Sequence, residues 1–166
     1  MQLTKGFEQA ACIVALLATQ KRDIPVSSGV INETLGGSAT YLHKIMRKLV
    51  VGGLITSVSG NSGGFSLAKE PEEITLLEIY HATEGKVDTF PDLGFFEHAF
   101  QDFPSLAMKA DGAITDAFHH ADRLWSDHIG SVTVQDLIWQ TFKVDQIPLV
   151  DWNNLSEEDI KGLNED

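Results

Sequence analysis

Apolar residues recur every three or four positions in the first part of the chain, the spacing of one face of an α-helix. The pattern predicts a first helix over about residues 5–20. Ser27 is placed to cap a short second helix that Gly36 and Gly37 end, and Ser38 is placed to cap a third. A short helix, a tight glycine turn and a second amphipathic helix predict a helix-turn-helix.

The third predicted helix separates its apolar and polar side chains onto opposite faces. The apolar positions are Leu42, Ile45, Met46, Leu49 and Val50. The outward positions are Thr40, Tyr41, His43, Lys44, Arg47 and Lys48. This outward face contains no acid, although the chain as a whole is acidic. It is typical of a DNA-reading helix, and an ordinary solvated helix face is the alternative.

A β-hairpin is predicted directly after the third helix. Residues 54–58 and 64–68 have the composition of two strands, and a glycine-rich tip joins them. A phosphate-binding glycine loop needs a helix that opens directly after it, and none is predicted here. A hairpin behind a recognition helix is a wing that approaches the DNA backbone, and a solvent-exposed hairpin without a partner is the alternative. The tip residues expected at DNA are Ser59, Gly60, Asn61, Gly63 and Gly64.

A further capped helix is predicted after the hairpin. Thr75 and Glu78 form a capping box for this helix, Gly85 ends it, and the following residues are polar and aromatic.

A long helix is predicted in the second half of the chain. From about residue 105, apolar residues alternate at three and four positions, as in a coiled-coil seam. We expect this helix to pair with a second copy, and an intramolecular core helix is the alternative. The seam and its flanks are Ala110, Ile114, Ala117, Phe118, Ala121, Leu124 and Trp125.

The expected fold is mainly α-helical with a small two-stranded β wing. Its regions are a winged helix-turn-helix DNA-binding domain over 1–85, an irregular connecting segment over 86–104, dimerisation helices over 105–143 and an acidic tail over 144–166. Thr133 is placed to cap a short helix within the third region. The tail holds seven acids and one lysine, and we expect it to be mobile apart from a weak helix after Ser156.

Charge is distributed unevenly along the chain. The formal net charge is -12, yet residues 1–69 hold seven basic and three acidic residues, whereas residues 70–166 hold five basic and 21 acidic residues. Such asymmetry predicts that one part meets a polyanion while the other stays away from it. No apolar run is long enough to span a membrane, so a cytoplasmic protein without a membrane partner is expected.

Candidate reactive residues are few. The single cysteine, Cys12, excludes a disulfide or an all-cysteine metal site within one chain. Cys12 lies among apolar residues, so a small buried hydrophobe is expected, with a redox-sensing thiol as the alternative. Asp116 and His120 lie one helical turn apart, where a solvated face is favoured over a weak metal site. No catalytic constellation is present in the sequence, so an enzyme, a metal and a cofactor are not expected.

Several short motifs occur together between residues 37 and 85. They are Ser38, Tyr41-Leu42, Arg47-Lys48-Leu49, Gly53-Leu54, the glycine tip with Phe65 and Leu67, and the run from Ile74-Thr75-Leu76 to Glu84-Gly85. This combination resembles the Rrf2 family of bacterial winged helix-turn-helix transcription regulators, which includes IscR, NsrR and CymR. The resemblance implies a homodimer on palindromic double-stranded DNA, with each recognition helix in a major groove and each wing in a neighbouring groove.

The sequence departs from the family pattern in three places. Cluster-binding members carry three cysteines after the helix that ends at Gly85, and residues 85–104 contain none, so a cluster with the family's ligands is excluded. His43 and Ser59 replace residues that are Glu and Arg in many members, so a different base preference and a less charged wing are expected. The expected function is a transcription regulator, a repressor. The resemblance implies that members without those cysteines act through a small molecule, a partner protein or no known signal. The alternative is a protein-interaction adaptor that has lost DNA binding.

Overall fold

Eight α-helices, one 3-10 helix and one two-stranded sheet form the described part of the chain, residues 2–60, 62–143 and 147–164 of a computed structural model. The contacts divide the chain into an HTH unit, residues 2–85 and 130–166, and a long-helix unit, residues 86–129. The mainly helical fold with one small wing confirms the predicted fold class. None of the described helices is both long and apolar enough to cross a membrane.

Three helices build the core of the HTH unit: α1 (Lys5–Ala18), α2 (Ser28–Leu35) and α3 (Ala39–Val51). Each begins at a hydroxyl side chain, Thr4, Ser27 or Ser38, that accepts a backbone N–H of the first turn. Gly36 and Gly37 connect α2 to α3 with φ angles of 68° and 89°, a backbone conformation that glycine adopts without strain. The predicted helix-turn-helix is therefore confirmed.

The wing is an antiparallel hairpin of β1 (Ile55–Val58) and β2 (Gly64–Leu67). A third extended segment joins it, because Val26 donates its N–H to the Phe65 carbonyl at 2.9 Å and accepts the Phe65 N–H at 2.8 Å. A Cβ on Gly64 would lie 2.2 Å from the carbonyl oxygen of Val26. Glycine at this position therefore permits the close approach that attaches the wing to the connection between α1 and α2.

Two further helices begin with matching capping boxes. Thr75 and Glu78 start α4 (Leu76–Thr83), and Thr133 and Asp136 start α7 (Val134–Phe142). In each box the threonine hydroxyl accepts the N–H of the acidic residue, whose carboxylate accepts the N–H of the threonine. Both helix starts were predicted, the first from Thr75 and Glu78 and the second from Thr133 alone.

The two capped helix starts lie side by side. Leu76 donates its N–H to the Val132 carbonyl at 3.0 Å, and Val134 donates its N–H to the Ile74 carbonyl at 2.8 Å. Val134 is also buried in the core cluster that contains α1 and α3. Helix α7 therefore folds with the HTH unit. This placement differs from the prediction, which grouped this helix with the dimerisation helices over 105–143. The pairing joins residues far apart in the chain and leaves no local signal.

Part of the acidic tail docks on the HTH unit through an isolated β-bridge. Val150 donates its N–H to the Thr19 carbonyl at 2.9 Å and accepts the Lys21 N–H at 2.8 Å. This pairing places the tail along the connection between α1 and α2. The structure therefore differs from the mobile tail that we expected over 144–166. Residues 144–146, 165 and 166 of this tail lie outside the described residues.

Side chains reinforce this docking. The indole N–H of Trp152 donates to the Thr19 hydroxyl at 3.0 Å, and the side-chain oxygen of Asn153 accepts the Ser27 N–H at 2.9 Å. Beyond them, the helix predicted after Ser156 is present as α8 (Glu157–Asn164). The tail thus contributes polar partners to backbone groups at the start of α2.

The long-helix unit contains α5 (Phe95–Ala99) and α6 (Pro104–Gly130). The predicted irregular segment over 86–104 is corrected by α5, a short helix that begins after Gly94 at a φ of 72°. Asp122 on α6 accepts the Thr89 hydroxyl at 2.6 Å and its backbone N–H at 3.0 Å. These two hydrogen bonds hold the pKa of Asp122 below its ordinary value and tie the connecting segment to α6.

Cys12 is exposed on α1, so the expectation of a buried cysteine is wrong. The face of α1 that packs into the core is made of Ala10, Ile13, Val14 and Leu17, and Cys12 lies on another side of the helix. Its apolar neighbours in sequence therefore belong to a different face.

We expect the change Gly64→Ala to destabilise the HTH unit by about 1 to 3 kcal/mol, the usual cost of overpacking a tight contact. The added Cβ would collide with the backbone of Val26, which has little freedom to move. Urea unfolding followed by circular dichroism measures the change in the free energy of unfolding. Gly29→Ala is the matched control, because its Cβ meets only the Ser27 side chain at 3.8 Å. Equal stability of the two variants would contradict the prediction.

Candidate nucleic-acid interface

Helix α3 presents an exposed polar stripe opposite a buried apolar face. The buried residues are Leu42, Ile45, Met46 and Leu49, each at most 2% exposed. The exposed residues of the stripe are Thr40, His43, Lys44 and Arg47. Their spacing places them on one side of the helix, because residues three and four apart share a face. The burial of the opposite face fixes which way this stripe points.

Two other predicted contact residues lie at the edges of the stripe. Tyr41 is 41% exposed, and its hydroxyl lies 3.0 Å from the position that a Cβ on Gly6 would take, so the side chain lies over the first turn of α1. Lys48 donates from Nζ to the Thr83 carbonyl at 2.5 Å. A cation is favourable there, because the last carbonyls of α4 carry partial negative charge. Lys48 therefore links α3 to α4.

Ser38 has a structural role at the start of α3. Its hydroxyl accepts the backbone N–H of Tyr41 at 3.4 Å. A hydroxyl in this position both caps the helix and remains at its exposed N-terminal end.

A depression of about 590 Å³ separates α3 from α4. Its lining residues are Lys44, Arg47, Lys48, Val51, Gly52, Glu78, His81 and Ala82. Lys44 and Arg47 make no hydrogen bond or ion pair with other residues in the described part of the chain. His81 was missed by the sequence analysis. Its only signal was an outward position on α4, and its place beside α3 depends on tertiary packing.

The charge of Glu78 in this depression is compensated. Lys69 approaches one carboxylate oxygen at 2.6 Å, and the Thr75 N–H donates to the other at 2.9 Å. Burial raises the pKa of Glu78, but the hydrogen bonds from Lys69 and Thr75 and the charge of Lys69 outweigh it and leave that pKa below its ordinary value. Since Lys69 balances Glu78, the three cations of α3 determine the charge of the depression.

The wing tip is uncharged, and its glycines have structural explanations. Gly60 has a φ of 117°, and a Cβ on Gly63 would lie 2.3 Å from the Val58 carbonyl oxygen. Ser59 is exposed beside them, and Asn61 lies outside the described residues. The turn itself therefore requires these glycines, and contact between the tip and DNA stays a prediction.

The predicted dimerisation residues all lie on α6, which is one continuous helix. Leu124 is 59% exposed and Phe118 is 41% exposed, whereas Ala110, Ile114 and Trp125 are partly exposed. Ala117 and Ala121 are exposed. Phe118 also stacks on Phe90, with ring centroids 5.1 Å apart. Exposed apolar side chains along one helix are suited to pairing with another helix.

The described residues contain no group of three His, Cys, Asp or Glu side chains that could hold a metal ion. The whole sequence has one cysteine, so a cluster held by several cysteines of the same chain has no donor set here. The residues present do not fit an iron-sulfur cluster of that kind.

Fold and surface together define a winged helix-turn-helix transcription regulator. The chain belongs to the Rrf2 family, whose model, described as an iron-dependent transcriptional regulator, matches residues 3–140. The resemblance noted in the sequence is thereby confirmed, and the relatives of the chain are transcription regulators rather than enzymes.

Individual relatives agree with this assignment. The HTH-type transcriptional regulator YwgB of Bacillus subtilis is 36% identical over 101 residues, which are 61% of this chain and 65% of YwgB. IscR of Photorhabdus laumondii is 33% identical over 88 residues, 53% of this chain and 54% of IscR. The chain thus spans less than two thirds of the length of these relatives.

Solved structures show the same fold. The global cysteine regulator CymR of B. subtilis has a TM-score of 0.62 at 23% identity, over 82% of this chain and 95% of CymR. IscR of T. potens has a TM-score of 0.57 at 23% identity, over 88% of this chain and 92% of that protein. Both comparisons support the winged-helix architecture.

The pairing of Glu78 with Lys69 predicts a pH-dependent contribution to stability. Because folding lowers the pKa of Glu78, the contribution is present at neutral pH and is lost as the pH falls through the folded-state pKa. We expect Glu78→Gln to destabilise by less than about 1 kcal/mol at pH 7, since the pair is partly exposed, and the difference from wild type to shrink in acid. Urea unfolding at several pH values tests this. Glu72→Gln, an exposed neighbour, is the control, and a pH-independent difference for Glu78→Gln would contradict the prediction.

Proposed function

We propose that the protein is a homodimeric, sequence-specific DNA-binding repressor that acts without an iron-sulfur cluster. The observation that carries this proposal is the exposed, acid-free stripe of α3, held rigidly by its buried face and followed by a wing. Winged helix-turn-helix proteins place such a helix in the major groove. In a chain with a net charge of -12, an exposed surface that lacks acids favours a polyanionic partner.

Base reading is assigned to the N-terminal part of α3. Thr40 and His43 lie on the exposed stripe and have side chains that hydrogen-bond to base edges. Ser38 and Tyr41 adjoin them, the first as a helix cap and the second over α1. We therefore assign the main base contacts to Thr40 and His43, with Ser38 and Tyr41 at the margin of the contact.

Contacts to the DNA backbone are assigned to the cations of α3 and to the wing. Lys44 and Arg47 are exposed and unpaired within the described residues, so they are available to phosphates. Lys48 already donates to Thr83, and a phosphate contact would have to share or replace that bond. The wing offers backbone N–H groups and serine hydroxyls instead of charge, with Ser59, Gly60, Asn61, Gly63 and Gly64 at or near its tip.

Dimerisation is assigned to α6, through its seam of alanine and larger apolar residues. Small seam residues such as Ala110, Ala117 and Ala121 allow two helices to approach closely, and Ile114 and Leu124 provide apolar area. A two-fold dimer presents two recognition helices in inverted orientation. This geometry requires a palindromic operator, and occupation of such a site near a promoter excludes polymerase.

The alternative function is a protein-interaction adaptor. The observation that favours it is the absence of any ionisable residue between Ile55 and Leu67, which removes the usual charge of a wing. An adaptor of this kind would keep the fold and the dimer and would bind no DNA in any salt.

Selection of fragmented genomic DNA on the purified protein tests the proposed function. We expect enrichment of a palindrome with half-sites about one helical turn apart. The variant Leu124→Asp places a charge in the apolar seam, so it should be monomeric in sedimentation and should lose the paired site. Ile24→Asp, an equally drastic change at an exposed apolar position of the HTH unit, is the control. No enrichment by wild type at either low or physiological salt would favour the adaptor.

The structure predicts unequal effects for the two neighbouring cations Arg47 and Lys48. Arg47→Ala should weaken binding to all sequences and reduce the slope of log affinity against log salt by about 1, as loss of one phosphate contact does. Lys48→Ala should have a smaller effect on that slope, because its ammonium group already binds Thr83. Fluorescence anisotropy over a salt series measures both slopes. Lys161→Ala on α8 is the control, and a larger slope change for Lys48→Ala would contradict the assignment.

A further inference from the structure

A histidine of α4 lines the depression between α3 and α4. His81 is exposed there, on the side opposite the cations of α3. Its ring packs edge-to-face on the buried Tyr80, with ring centroids 6.0 Å apart. The imidazole makes no hydrogen bond or ion pair with any other described residue. Its ring nitrogens are therefore available to a partner, and both are donors when the ring is protonated.

The next two residues of α4 fix the position of His81 relative to α3. A Cβ on Gly52, which caps α3, would lie 3.0 Å from the Cβ of Ala82, so the two helices are in close contact there. One residue further on, the Thr83 carbonyl accepts a hydrogen bond from Lys48 Nζ at 2.5 Å. His81 immediately precedes both contacts, so it is held beside the polar stripe of α3.

Positive charge exceeds negative charge around His81. The cations of α3 that line the depression are Lys44, Arg47 and Lys48. From α4, Glu78 lines it as well, and Lys69, which follows β2, pairs with that carboxylate at 2.6 Å. No other ionisable residue lines the depression within the described part of the chain. This arrangement favours an anion as the partner of the depression.

The anion is a phosphate of the DNA backbone, a step that rests on the proposed function. A recognition helix in the major groove has a phosphate backbone on each side of it. Lys44 and Arg47, which are assigned to backbone phosphates, line the same depression as His81. A phosphate that enters the depression beside these cations therefore also meets the imidazole.

We propose that His81 is a further contact of the DNA backbone and that protonation of its imidazole strengthens this contact. The protonated ring is a cation with two N–H donors, a group that binds phosphate oxygens through charge-assisted hydrogen bonds. The neutral ring has one donor and no charge. Histidine changes its charge between about pH 5 and about pH 8, so this contact weakens as the pH rises through that range.

DNA binding and proton uptake are coupled in both directions. A phosphate in the depression favours the protonated imidazole, because opposite charges stabilise each other. Protonation favours the bound phosphate to the same extent, because coupling between two sites is reciprocal. The pH of the solution thereby regulates DNA affinity through one side chain of α4.

The salt dependence of binding to a duplex of random sequence tests the contact without an operator, because phosphate contacts are independent of sequence. Fluorescence anisotropy over a salt series is measured at about pH 6 and about pH 8.5, on either side of the histidine range. We expect His81→Asn to reduce the slope of log affinity against log salt by about 1 for each bound protomer at the lower pH, and to leave it unchanged at the higher pH. His81→Lys should match wild type at the lower pH and keep the steeper slope at the higher pH.

The comparison of variants separates His81 from His43, the other histidine of the interface. His43 is present in wild type and in both variants, so its contribution cancels when proteins are compared at one pH. His98→Asn and His98→Lys are the matched controls, because His98 is exposed on α5 in the long-helix unit. Both controls should behave as wild type at each pH, and circular dichroism confirms that all variants are folded.

Two outcomes would overturn the proposal and leave the proposed function intact. One is an equal salt slope for wild type and His81→Asn at the lower pH. The other is a His81→Lys protein that binds more tightly than wild type by the same factor at both pH values. Slopes that depend on His81 without an enriched palindrome would support the contact and contradict sequence-specific binding. Absence of binding to any duplex at low salt would overturn both.

Discussion

The connection between α1 and α2, residues 19–27, is held by backbone hydrogen bonds from two directions. Val26 pairs with Phe65 of the wing, and residues 19–21 pair with Val150 of the tail. Residues outside helices and strands lack regular backbone partners, so the bonds to the wing and the tail satisfy backbone groups of this connection. The wing is thereby fixed to the segment that enters α2, and the helix-turn-helix and hairpin form one rigid surface.

Local signals allowed the sequence to predict the helices, the wing and the polar stripe of α3. Caps such as Ser27 and Thr75, together with apolar periodicity, act within a few residues of each other. The pairing of α7 with α4, the docking of Val150 and Trp152, and the position of His81 depend on contacts between distant residues, which leave no periodic trace. The prediction of a buried Cys12 was wrong for a related reason. Apolar neighbours lie on several sides of the helix, so the sequence does not indicate which side is buried.

Electrostatics in the HTH unit is arranged locally rather than by net charge. The stripe of α3 has no acid, and the acid of the adjoining depression, Glu78, is compensated by Lys69. Arg22 forms another exposed ion pair with Glu70, away from α3. On this stripe, Lys44 and Arg47 make no ion pair with any of the described residues. Over distances beyond about 10 Å, salt screens the remaining acids, so this local balance sets the charge that a partner of α3 would meet.

Regulation by a ligand requires a structural element with two conformations and a ligand that binds one conformation more tightly than the other. The family model is described as iron-dependent. This chain has a single cysteine, so it does not provide the donors for a metal group held by several cysteines. The turn at Gly36 and Gly37 is a suitable element, because glycine has no Cβ and adopts backbone conformations that other residues rarely take.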